Sequence, residues 1–145
     1  MLMNDHPVTS KELNKLQNPG AWANQTRIPA SRIRYYAAAD ASLIEPMQLG
    51  VLLVMACWSG PSVMSFRHLM DVISRLDPLE KLEIVVVDAD GCPAFYELPA
   101  FKGDLHGYGE VAWIKDGVIQ CTSGRGFNPS CYEPNTKALL ESLQA

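Results

Sequence analysis

The sequence predicts an α/β protein: a mixed central sheet built from a parallel βαβ unit and a C-terminal β-hairpin, flanked by helices and preceded by a helical extension. Three observations carry this. The apolar run at residues 51–56 is short, with Gly50 before it and Trp58, Ser59, Gly60 and Pro61 after it, which suits a buried strand better than a buried helix. Phe66, Leu69, Met70, Ile73 and Leu76 then follow at the i, i+3, i+4, i+7 spacing of a one-sided helix, with Pro61 tolerated in its first turn. Farther on, Asp116-Gly117 stands between two strand-like runs, the chemistry of a tight hairpin.

The elements follow in order. Thr9-Ser10-Lys11-Glu12 reads as a capping box opening a short helix with Leu13 and Leu16 on one face, ended by Asn18-Pro19-Gly20. Residues 20–31 read as a loop that lays Trp22 on the body, so 1–31 is assigned to an extension and 32–145 to one domain. Residues 32–37 alternate as a first strand with Ile33 and Tyr35 inward, and residues 40–48 hold a short helix. Asp77-Pro78 stops the central helix, and the β-branched run at 82–88 is the next strand. Two buried strands joined by a helix of this length pair in parallel through a right-handed crossover. Pro93, Pro99 and several glycines make 89–109 an irregular helix and loop carrying Phe95, Tyr96, Leu98 and Phe101. After the hairpin, Glu133-Pro134 opens a closing helix that docks Leu139, Leu140 and Leu143.

Composition narrows the function classes. A chain of 145 residues holds one self-sufficient core. Its net charge of −4 and pI near 5.3 argue against nucleic-acid binding, and Arg27, Arg32 and Arg34 read as solvated surface. No basic segment leads an apolar one at the N-terminus, and the internal apolar run is too short to span a bilayer, so the reading is a cytoplasmic protein without membrane contact. Four cysteines at irregular spacing are expected as thiols. His6, His68 and His106 lie far apart and no Cys-x-x-Cys or His-x-x-x-His pair occurs, so neither metal nor cofactor is expected. The glycines at 107, 109, 124 and 126 flank strands and open no helix, unlike a phosphate-cradling loop.

Residues 58–62, Trp-Ser-Gly-Pro-Ser, resemble the Trp-Cys-Gly-Pro-Cys redox turn of the thioredoxin family at the same strand-to-helix junction. Trp58, Gly60 and Pro61 match; Ser59 and Ser62 stand where the family has its cysteines. The resemblance covers residues 32–145 and rests on this turn, the order of elements and the Lys115-Asp116-Gly117 hairpin. It implies a thioredoxin-like fold. It also implies thiol–disulfide exchange, which needs a thiolate at the helix N-terminus and a resolving thiol one turn on. A serine hydroxyl carries neither role, and Ser59 reads as a helix N-cap. Gapless counting places Leu53 at the family's buried carboxylate and Gly109 at its cis-proline, inside Gly107-Tyr108-Gly109-Glu110. A cis bond before a non-proline residue is rare, so the loop at Gly109 is expected to take another course.

The expectation is a redox-inactive thioredoxin-like protein, not an enzyme, that binds another protein as chaperone, assembly factor, adaptor or inhibitor. Homo-oligomers are left open. Its face would comprise Trp58, Ser59, Gly60, Pro61, Ser62, Tyr108 and Gly109, with Phe95 beside them. The alternative is a thiol enzyme or redox sensor using Cys57 or Cys92. A ligand-binding groove is a third reading. Cys121 alternates with Ile119 and reads as pointing into the core. A Cys121–Cys131 bridge stays open, with a reducing compartment arguing against it. A serine hydrolase would need a base that no histidine supplies by sequence.

Overall fold

The computed structural model describes residues 26–56, 59–101 and 103–144. The N-terminal capping-box helix, the loop with Trp22, and both Cys57 and Trp58 lie outside the described residues. Five strands, β1 (Ile33–Tyr36), β2 (Leu49–Met55), β3 (Glu83–Asp88), β4 (Tyr108–Lys115) and β5 (Val118–Thr122), form one sheet in the order β1-β3-β2-β4-β5. β1 and β2 both pair in parallel with β3, whereas β4 runs antiparallel to β2 and β5 to β4. Helix α1 (Gly60–Leu76) is the crossover between β2 and β3, and α2 (Tyr132–Glu141) closes the chain.

All seven residues of β2 are buried, as a central strand covered on both faces demands. Val51, Leu53 and Met55 meet Phe66, Leu69, Met70 and Ile73 of α1 together with Trp113 and Tyr132. Leu52 and Val54 turn to the other face, against Met47, Phe95 and Phe101. Ile28 joins the first of these clusters, so the core draws on a residue ahead of position 32.

The second face is covered differently from expectation. Residues 40–48 hold only a 3-10 turn, Ala41–Leu43, whose first N–H groups are met by Asp40. Two more 3-10 turns, Pro93–Glu97 and Pro99–Phe101, replace the irregular helix. Prolines six residues apart each remove a donor and block continuation, so short turns are what this segment sustains. The closing helix also docks less than expected. Leu139 is buried and Leu140 half-buried, but Leu143 lies past the helix end and is 46% exposed.

The hairpin is as read. Lys115 pairs with Val118 across a two-residue turn in which Asp116 (φ 51°) and Gly117 (φ 75°) are both left-handed, the type I′ geometry. The turn is pinned to the body by its own N–H groups, donated to the carbonyls of Gln48 and Met47 at 2.8 Å each. Two arginines read as solvated surface are engaged instead. Arg34 pairs with Glu83, and Arg32 donates to Asp77, whose carboxylate is 2% exposed and also accepts from the N–H groups of Lys81 and Leu82. That carboxylate ties the end of α1 to the start of β3 and to the segment entering β1.

Candidate functional site

The N-terminus of α1 and the loop before β4 meet at one end of the sheet. Ser59 is the N-cap: its extended backbone (φ −96°, ψ 121°) lets its hydroxyl accept from the Ser62 N–H at 3.4 Å. Gly60 and Pro61 are exposed in the first turn. Ser62 is fully buried. Its hydroxyl accepts from the Ala56 N–H at 3.1 Å and donates to the Gly107 carbonyl at 2.6 Å, joining the end of β2 to the loop. One turn on, buried Ser65 donates to the Gly109 carbonyl at 2.6 Å and, its only proton spent, accepts from the Tyr132 hydroxyl at 2.6 Å. Two serines of α1 thus stitch the helix to the loop, and the second reaches α2 as well.

Gly109 takes the other course expected of it. No cis peptide occurs among the described residues; Gly109 instead sits at φ +90°, where a Cβ would meet the Ser65 Cβ at 2.4 Å. Close approach and left-handed backbone both require glycine there. Leu53 is fully buried between Val86 and Val111, a position fit for an apolar side chain.

A buried carboxylate does stand at this end, supplied by Glu110. It is fully buried, and its oxygens accept from the N–H groups of His106 and Tyr108 at 3.3 Å and of Gly126 at 2.7 Å. Sequence reasoning missed it. The available signal was an acidic residue opening a strand-like run directly after Gly107-Tyr108-Gly109, where turning backbone N–H groups need an acceptor.

The exposed rim is aromatic and acidic. Tyr108 is 43% and Tyr96 41% exposed, and the His106 ring stacks on Tyr108 with centroids 6.1 Å apart. Partial burial, then the nearby carboxylates of Asp90, Glu110 and Asp88, raise the Tyr96 phenol above its ordinary value. Phe95 does not join the rim. It is fully buried against the second face of the sheet, and its neighbour Tyr96 takes the outward position, because the 3-10 turn points adjacent side chains apart. Cys92 is also fully buried, its thiol aimed at the Tyr36 carbonyl 3.9 Å away. Among the described residues no group of three His, Cys, Asp or Glu side chains could hold a metal ion, and no helix is long and apolar enough to cross a membrane.

No family model matches the sequence, and no curated protein matches it. Solved structures do. A chain from work on thiol resolution in yeast mitochondrial 1-Cys peroxiredoxin via the glutathione and thioredoxin systems is 25% identical, with a TM-score of 0.54 over 68% of this chain and 86% of that one. Mitochondrial thioredoxin 3 of Saccharomyces cerevisiae is 22% identical, with a TM-score of 0.53 over 70% and 95%. Schistosoma mansoni thioredoxin is 19% identical, with a TM-score of 0.52 over 75% and 99%. Strand order, crossover helix and hairpin define the thioredoxin-like class of α/β proteins. This chain has the thioredoxin-like fold, with Ser59-Gly60-Pro61-Ser62 at the turn.

Proposed function

We propose that this protein is a redox-inactive thioredoxin-like domain that acts by binding another protein through the α1 end of the sheet. The observation that carries the reading is Ser62. It stands at the position of a resolving thiol, is fully buried, and gives both its proton and a lone pair to backbone groups. Ser59 likewise spends its oxygen on the cap. Hydroxyls cannot exchange electrons through a disulfide, and the Ser62 hydroxyl is also unavailable as a nucleophile for acyl transfer.

What this end offers instead is contact surface. Pro61, Tyr96, His106 and Tyr108 are exposed, and tyrosine is among the side-chain types enriched at interface cores. Asp90 is an exposed carboxylate near this rim, so the complementary partner surface is basic. The burial of Cys92 works against a thiol enzyme at that residue.

The test is capture of partners from native lysate by the tagged protein, with and without reductant, alongside Trp58→Ala and Tyr108→Ala. A partner retained under reductant and lost in both variants supports the reading. A partner held only without reductant, and lost with Cys57→Ser, overturns it in favour of thiol chemistry.

A further inference from the structure

Cys121 and Cys131 lie 10 positions apart in sequence and on either side of one aromatic pair. Cys121 is the cross-strand partner of Trp113 in the β4–β5 ladder. Cys131 is the N-cap residue of α2, next to Tyr132, whose ring centroid is 5.9 Å from that of Trp113. The indole N–H of Trp113 reaches across to the Thr136 hydroxyl at 3.0 Å and fixes α2 against this strand. Cys121 lines a crevice of about 200 Å³ between β5 and α2, with Asn135, Ala138 and Ser142 on its helical side. Asn135 is one turn on from Cys131, whose thiol donates to the Asn128 carbonyl at 3.3 Å. Both thiols are free and half-buried against the same core cluster. Burial raises both thiols above their ordinary values, and the charge of Cys131 adds to the rise at Cys121.

We propose that Cys121 and Cys131 form a reversible disulfide that clamps β5 to the N-terminus of α2, made by exchange with a small-molecule disulfide. In the first step the Cys131 thiolate attacks one sulfur of the small disulfide; a mixed disulfide forms and one small thiol leaves. In the second, the Cys121 thiolate attacks the Cys131 sulfur and the second small thiol leaves. Two protein thiols are oxidised, one small disulfide is reduced to two thiols, and their two protons pass to those products. The closed loop holds Ser123, Gly126 and Asn128. Ser123 accepts from the Val111 N–H at 2.9 Å, and Gly126 donates to Glu110. The clamp therefore tightens the support beneath the aromatic rim. The inference stands independently of the binding function proposed above.

The experiment treats the full chain with glutathione disulfide, alkylates the remaining thiols and maps tryptic peptides. Peptides 116–125 and 126–137 are expected to emerge joined, with Cys57 and Cys92 alkylated. Cys121→Ser and Cys131→Ser are each expected to leave the other cysteine carrying glutathione. The equilibrium yield of the pair should fall about tenfold or more in urea, where the fold no longer concentrates one thiol upon the other. Bonds to Cys57 or Cys92, mixed disulfides alone in the unsubstituted protein, or an equal yield in urea would overturn the proposal.

Discussion

Ser62 is a polar atom with no freedom left. Replacing it by alanine strands the Ala56 N–H and the Gly107 carbonyl away from water, at an expected cost of about 1–3 kcal/mol measured by urea unfolding. Ser65→Ala and Tyr132→Phe should each destabilise, but the double variant should lose less than their sum. Both break the same chain of hydroxyls, so a coupling on the order of 1 kcal/mol is expected in the cycle. Additive losses would show that the two bonds act independently. This is also where the sequence was least legible. Ser59 as a cap is a local fact, readable from the turn and the helix that follows. The carbonyl partners of Ser62 and Ser65 lie more than 40 positions away, and no spacing rule connects a helix serine to a carbonyl across the fold.

At the scale of elements, the loop before β4 is fixed by backbone geometry as much as by side chains. Gly109→Ala should cost more than about 2 kcal/mol, combining left-handed strain with the close approach to Ser65. Gly109→Pro should be worse still, because the ring holds φ near −65° and cannot reach +90°. Equal stability of the two variants, read by thermal melting, would mean that the loop reroutes. The strands, the central helix and the hairpin were legible because period 2, period 3.6 and an Asp-Gly turn are written in adjacent residues. Residues 93–101 were not, since proline spacing forbids a helix without saying what replaces it. Glu110 escaped for a mixed reason: two of its donors are local, but the third, Gly126, arrives from beyond the hairpin.

Across the whole molecule, charge is linked to stability through Asp88. Its carboxyl is raised above the ordinary range by burial first and by Asp90 next, against N–H groups of Asp90 and Gly91 that pull it down. A carboxyl whose folded value is raised contributes stability that is present below its unfolded value and lost as pH rises through the folded one. Asp88→Asn should therefore raise the urea midpoint at neutral pH, and the gain should fade towards acid, where Asp88 is protonated. A gain that persists unchanged at low pH would assign the effect to packing instead. The parallel pairing of β2 with β3 was legible because a crossover helix of this length joins the two buried strands and leaves few other ways to arrange them.

The hydroxyl chain has one further property. The Gly109 carbonyl can only accept, so Ser65 donates to it and Tyr132 donates to Ser65, and the sequence of bonds Tyr132, Ser65, Gly109 has a single allowed sense. No rotor along it can reverse without breaking its neighbours. The two hydroxyl protons are held in one orientation, out of contact with water. They should appear as slowly exchanging resonances in the proton NMR spectrum of the native protein and vanish together when either side chain is replaced.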